Sequence, residues 1–290
     1  MSGSDLPVAE VEKRVSALDG TVKLLFRFGD GAPAESVVMF HKGRASVCLS
    51  SQSGCACGCV FCATGALGLR RDLSAGEIVA QFAACREAAG GAAHSIVFMG
   101  MGEPFLNWEN VRGAIAALSD QKSWNIPQSR MTVSTVGVVP GIEALAASDL
   151  KVNLAVSVVT ADEGLRGRLV PMSARYPLGE VMAAARRCGE RRRRTVFLEY
   201  ILFGGLNDSL ADAAGLAALA RGMDCTVNLI RYNSAAGSGL AAPDQATAKD
   251  FQKALMAAGV RAYMRRETGS DIAAACGQLA GGGAVPGQRK

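Results

Sequence analysis

Four cysteines fall within one short run, Cys55-Ala56-Cys57-Gly58-Cys59-Val60-Phe61-Cys62, and Cys55, Cys59 and Cys62 read Cys-x-x-x-Cys-x-x-Cys. In a chain without a secretion signal, such a stretch binds metal more readily than it forms disulfides. Two occupants fit. Zinc would recruit Cys57 to complete a tetrahedral site. A 4Fe-4S cluster held by three thiolates would keep one iron open to a substrate or cosubstrate, whereas the commoner cluster runs supply four cysteines and close it. Gly54, Gly58 and Phe61 suit a loop wrapped closely around a bulky cluster, which favours iron–sulfur.

Further polar residues fall where strands should end. Gly100-Met101-Gly102-Glu103-Pro104 follows an apolar strand; it is either a plain strand-to-helix turn or a loop laid against a ligand, with Glu103 accepting from an ammonium or hydroxyl. Ser134 and Asn233 sit at expected strand carboxyl ends, where each could also cap a turn. Asn207-Asp208-Ser209 reads as the N-cap region of the next helix. Cys276 stands in a flexible Ala/Gly segment that neither strand nor helix would bury, which points to reactivity. Cys85, Cys188 and Cys225 suit core or helix positions.

The elements that must place these residues follow from periodicity. A helical pattern is expected over Val8–Leu18. Strands follow at Thr21–Phe28 and Glu35–Phe40 around Gly29-Asp30-Gly31, and at Ala45–Leu49. After the cysteine loop, helices (Ser74–Ala89, Trp108–Ser119, Val139–Ala147, Leu178–Arg187, Leu210–Arg221, Gln245–Ala258) alternate with strands (Ser95–Met99, Met131–Val136, Lys151–Ser157, Thr195–Leu202, Cys225–Ile230, Arg261–Arg265). Six βα units with β-branched strands predict an α/β fold: a partial, open six-unit β/α barrel with ligands at the strand carboxyl ends. The expected divisions are 1–47 (helix and β-extension), 48–279 (barrel) and 280–290 (flexible tail). The chain has 290 residues, 49% of them hydrophobic and 20% charged, and can bury a full core. No apolar run approaches a membrane span and no signal peptide opens it, so a cytoplasmic, membrane-free monomer is expected. The net charge of +5 permits a nucleic-acid partner. Arg186–Arg194 is either a solvated helix end or a phosphate-contacting patch.

Together these segments closely resemble the RlmN/Cfr family of radical SAM RNA adenine methyltransferases. The resemblance runs from about Asp19 to Leu279, through Cys48–Cys55, Phe61–Gly65, Gly100–Pro104, Asn228–Asn233 and Asp271–Leu279. It implies a radical SAM partial barrel with one 4Fe-4S cluster on Cys55, Cys59 and Cys62, leaving Cys57 out. Gly102, Glu103, Ser134, Ser157, Val158, Val159 and Asn233 would contact S-adenosylmethionine, used twice per turnover as methyl donor and as radical source. Cys276 would carry the methyl group, Cys48 would resolve the adduct by disulfide formation, and Glu35 would accept the ring proton. An external donor such as flavodoxin or ferredoxin would supply electrons. The substrate implied is an adenosine of ribosomal RNA, at carbon 2 with carbon 8 as the other outcome, and transfer RNA as a further substrate.

Two departures from the family stand out. Family members carry an N-terminal helical accessory domain, and this chain begins close to the β-extension; it is expected to be a short, divergent member. The family's Ser-Leu-His is Ser157-Val158-Val159 here, and His41 and His94 lie elsewhere. The alternatives are a methylase of the same mechanism acting on a small molecule or peptide, and an inactive Fe-S RNA-binding protein. The presence of both Cys48 and Cys276 argues against the latter.

Overall fold

The computed structural model describes residues 8–234 and 238–282; the expected tail beyond 282 lies outside the described residues. The chain opens with four strands, β1 (Val8–Val15), β2 (Val22–Phe28), β3 (Pro33–His41) and β4 (Arg44–Cys48). The cysteine loop lies between β5 (Gln52–Gly54) and a short helix α1 (Ala63–Ala66), before β6 (Leu69–Asp72). Then follow α2 (Ala75–Ala88), β7 (Ser95–Phe98), α3 (Trp108–Ser119), β8 (Met131–Thr135), α4 (Val139–Ala147) and β9 (Asn153–Ser157). The chain continues through α5 (Glu163–Leu169), α6 (Leu178–Arg192), β10 (Val196–Leu202), α7 (Leu210–Ala220), β11 (Cys225–Arg231), α8 (Gln245–Ala257) and β12 (Ala262–Met264).

One ten-stranded sheet runs in the order β1-β2-β3-β4-β7-β8-β9-β10-β11-β12. Its first strands pair antiparallel. From β4 onward every pair is parallel, with a helix in each crossover, so the six βα units are present. β1 and β12 stand at the two ends of the order and the sheet stays open. The β-extension continues the barrel sheet: Cys48 pairs with Val37 on one side and Val97 on the other. β5 and β6 form a separate two-stranded sheet beside it.

The helix expected over Val8–Leu18 is overturned. Val8, Val11 and Val15 are spaced as on a helix face, yet the segment is an edge strand paired to β2, with Val11 opposite Phe26 and Val15 opposite Val22. Ladder hydrogen bonds to a preformed neighbour outweigh weak local propensity. The hairpin is closed by Ser16, whose N–H donates to Thr21 O at 2.8 Å and whose hydroxyl accepts from Leu18 N and Asp19 N.

The main apolar cluster packs strand residues such as Phe26, Val47, Ile96, Val133 and Leu198 against helix residues such as Ile78, Val111, Ile142, Val181 and Phe251. Helix starts are set locally. Ser74 caps α2 in a capping box with Glu77, and Ser209 caps α7 in one with Asp212, each cap stabilising by about 1 kcal/mol. Among the described residues no helix is long and apolar enough to cross a membrane.

Candidate active site

The carboxyl ends of the parallel strands surround an open cleft, the place where ligands bind in sheets of this kind. Cys55, Cys57, Cys59 and Cys62 all line it. Gly65 explains how the loop folds on itself: a Cβ there would lie 2.8 Å from Cys59 O and 2.9 Å from Cys59 N, so α1 can press against the cysteine loop only with glycine. Cys57 hydrogen-bonds Cys55, its N–H reaching the sulfur at 3.5 Å. A side-chain hydrogen bond between the two thiols lowers the pKa of Cys55 and raises that of Cys57. Burial pushes Cys59 and Cys62 up, and the charges of neighbouring cysteines add to it. A cationic metal centre would reverse that balance, since coordination favours the thiolate. Among the described residues no three His, Cys, Asp or Glu side chains converge as a single-ion site. Cys55, Cys59 and Cys62, which line one cleft and feel one another's charge, fit a cluster that takes one sulfur per iron.

The Gly100–Pro104 loop forms the adjacent wall and is fixed from behind. Met101 N–H donates to Ser50 Oγ at 2.7 Å, Ser51 N–H donates to Met101 O at 2.9 Å, and Glu103 N–H donates to Gln52 Oε1 at 2.9 Å. Gly102 has φ +99°, and a Cβ on it would sit 2.5 Å from Gln52 Cβ. Packing against the β4–β5 connection therefore requires the glycine before any ligand does. Glu103 is buried; Oε1 accepts from Phe105 N at 3.0 Å and Oε2 from Val136 N at 2.8 Å. Burial outweighs these bonds and raises its pKa to about 7. A buried carboxylate on a ligand cleft can hold an ammonium.

Ser134, Ser157 and Asn233 also line the cleft. Val158 and Val159 do not: both are fully buried, and Val159 packs with Phe61, Phe203 and Tyr232 behind the cysteine loop. Val159 adopts φ +69°, which a β-branched residue rarely does. Its carbonyl accepts from Asn207 Nδ2 at 2.9 Å, so Asn207, read as part of a cap region, also holds this loop.

Two residues escaped sequence reasoning. Arg166, on α5, is fully buried and donates to Val158 O at 3.1 Å, Ser173 Oγ at 2.7 Å and Val136 O at 2.6 Å, tying together the loops after β8 and β9. Glu199, on β10, lines the cleft and accepts from Asn228 Nδ2 at 2.8 Å. A lone acid within the apolar run Val196–Leu202 was the available signal. Burial raises its pKa and Arg265 opposes the rise.

Cys276 lines this cleft and a second one of about 850 Å³, whose wall also carries Cys48. Both are free thiols. Burial pushes Cys48 up to about 12 and raises Cys276, while the Arg265 cation lowers both. The 269–282 segment that carries Cys276 is strapped down on several sides. Asn233 Nδ2 donates to Cys276 O at 3.4 Å, Ala63 N to Gly277 O at 2.8 Å, and Thr64 Oγ1 to Leu279 O at 2.6 Å. Glu35 holds the strap too. Its Oε2 accepts from Ala280 N at 2.8 Å, and its Oε1 is 3.2 Å from Lys23 Nζ, which donates to Ala273 O at 3.1 Å. The structure places Glu35 behind the strap, engaged on both oxygens, rather than on the wall of either cleft.

The Arg186–Arg194 run lies at the opposite end of the sheet, where α6 returns to the start of β10. Arg192 donates to Leu150 O and Val152 O, Arg194 to Asn153 Oδ1, and Arg186 to Arg221 O. These arginines tie down loops at that end, away from the cleft.

Comparison with known proteins agrees with this geometry. The family model described as the radical SAM superfamily matches residues 49–217. A protein of Heliobacterium modesticaldum described as a "probable dual-specificity RNA methyltransferase RlmN" is 45% identical over 95% of this chain and 74% of its own length. One of Moorella thermoacetica with the same description is 46% identical, over 95% of this chain and 80% of its own length. The crystal structure of a radical SAM methyltransferase from Sphaerobacter thermophilus superposes with a TM-score of 0.92 at 45% identity, covering 95% of this chain and 82% of that one.

Proposed function

We propose, from the premise that this chain belongs to the RlmN family of radical SAM RNA methyltransferases, that it methylates a ring carbon of adenosine in ribosomal RNA, with transfer RNA as a second substrate. Carbon 2, the outcome of the RlmN branch, is favoured over carbon 8, since the relatives carry the RlmN name. The observation that carries the mechanism is Cys276, which lines both the cleft of the cysteine loop and the cleft of Cys48.

Cys55, Cys59 and Cys62 would hold a 4Fe-4S cluster, which when bound supplies the electron and the open iron for reductive cleavage of S-adenosylmethionine. Glu103 would take the ammonium of S-adenosylmethionine. Ser134, Ser157 and Asn233 would orient the rest, with Gly102 allowing close approach; Val158 and Val159, whose backbone is engaged by Glu199, Arg166 and Asn207, would act by holding the loop that follows Ser157. Cys276 would accept a methyl group from one S-adenosylmethionine and present it to the ring, since an electron-poor ring carbon does not attack a sulfonium methyl directly. Once the S-methyl group has given up a hydrogen atom, its carbon would join the ring. Cys48 would then attack the Cys276 sulfur, forming the disulfide as the bond from that sulfur to the bridging carbon breaks. The released carbon would take a proton to become the product's methyl group. The high pKa of Cys48 requires a base or the nearby Arg265 cation to favour the thiolate. Glu35 would accept the ring proton only after the strap moves, because Lys23 and Ala280 hold both oxygens.

The test is peptide mass spectrometry of Cys276 after anaerobic reconstitution with S-adenosylmethionine and a reductant, followed by mass analysis of ribosomal RNA. S-methyl-Cys276 and methyladenosine are expected. Unmethylated Cys276 would sink the mechanism, and methylated Cys276 with unmodified RNA would sink the substrate.

A further inference from the structure

Beside the Cys48–Cys276 cleft, a groove of about 740 Å³ is lined by Arg231, Lys249, Arg265 and Arg266, with Glu267 as its one carboxylate. Glu267 is spent on Arg231, at 3.2 Å. Arg265, Arg266 and Glu267 line both the groove and the cleft, so the two are continuous. The groove lies between the start of α8 and the carboxyl end of β12, the edge strand of the open sheet. Lys249 and Arg266 are exposed.

We propose that this groove binds backbone phosphates of the RNA strand that carries the target adenosine, leading the strand from Lys249 past Arg266 to Cys276. The inference rests on the RNA reading above. A base methylated on a ring carbon must leave its stack to reach a sulfur on a cleft wall, so the flanking nucleotides are splayed and their phosphates exposed. A groove lined by clustered cations and open to the reacting cleft matches the backbone of single-stranded nucleic acid, which such proteins track along a positively charged channel. The Arg186–Arg194 run, though richer in charge, stands at the far end of the strands and cannot serve a nucleotide in the cleft.

The experiment measures binding of a synthetic RNA hairpin with an unpaired loop adenosine to the reconstituted full chain across a KCl series. Lys249→Ala and Arg266→Ala are compared with wild type and with Arg191→Ala on the far end, each first checked for an unchanged melting temperature. Each lost single-strand phosphate contact lowers the slope of log K against log salt by about 0.7, or about fivefold in affinity near 0.1 M. That loss is expected in both groove variants, with Arg191→Ala like wild type. Wild-type affinity and slope in both groove variants would overturn the groove while leaving the RNA reading intact. An equal loss in Arg191→Ala would overturn it as unspecific charge. Wild-type protein that binds no RNA would overturn both readings together.

Discussion

Glu103 gives the sharpest quantitative test. Burial lifts its pKa from 4.5 to about 7 against two backbone hydrogen bonds that favour the carboxylate. The folded protein therefore keeps a proton that the unfolded chain has released between pH 4.5 and 7. This stabilisation is fully present below about 4.5 and is lost as pH rises through about 7, at about 1.4 kcal/mol per unit or roughly 3 kcal/mol in all. Ligand binding has the opposite slope. An α-ammonium with a pKa near 8 prefers the carboxylate, so binding S-adenosylmethionine must expel the proton at low pH. The apparent affinity should rise tenfold per unit from pH 5 and level off above 7, about a hundredfold in total. Glu103→Gln cannot titrate and can accept through only one oxygen. Its affinity should be weak and flat across this range, which separates Glu103 from His41 and His94. Calorimetry in buffers of different ionisation enthalpy reads both the affinity and the released proton. A wild-type affinity independent of pH between 5 and 7, or a glutamine variant that keeps the slope, would refute the assignment.

Arg166→Met should unpair two carbonyls and the Ser173 hydroxyl inside the loops that carry Val136 and Val158. A loss of about 3–5 kcal/mol is expected, read as a melting temperature lower by roughly 10 °C with weaker S-adenosylmethionine binding; an unchanged melting curve would count against the network. Glu35→Gln breaks a buried ion pair and one anchor of the Cys276 strap. It should cost about 3 kcal/mol and slow S-methylation of Cys276, whereas wild-type methylation with only product formation reduced would restore Glu35 as a base alone. Cys48→Ala should leave Cys276 methylation intact and trap a covalent protein–RNA adduct visible on a denaturing gel; free product from this variant would remove Cys48 from the mechanism.

Several candidate residues could be placed because they stand at or just past the ends of elements: Ser134 near the end of β8, Glu103 in the loop after β7, Asn233 just past β11, and the cysteines in the loop after β5. Cys55, Cys59, Cys62, Glu103, Ser134, Asn233 and Cys276 all reach the cleft wall. What was not legible depends on partners far away in the sequence. Arg166 sits on a seven-residue helix whose apolar pattern is too short to register. Val159, expected as a contact to S-adenosylmethionine, gives no sign in the sequence of its burial or its positive φ, which the path of the loop imposes.

The position of Glu35 and that of the arginine run were nonetheless within reach of topology. A hairpin turning at Gly29-Asp30-Gly31 sets Leu25 opposite Glu35 and Lys23 opposite Val37. Lys23 and Glu35 are then diagonal neighbours on one face, a distance that a lysine spans, so a buried acid on β3 has its counter-ion supplied by the turn. The same logic decides the arginines. In a right-handed βα unit the helix runs back from the carboxyl end of one strand to the amino end of the next. The C-terminus of α6, where Arg191 and Arg192 lie, must therefore face away from a site at the strand carboxyl ends, whatever the charge of the patch. Cations at the end of a strand or just past it, as Arg231 ends β11 and Arg265 and Arg266 follow β12, are delivered to the reacting end instead. Position along the βα unit, more than charge density, selects which arginines can meet the substrate.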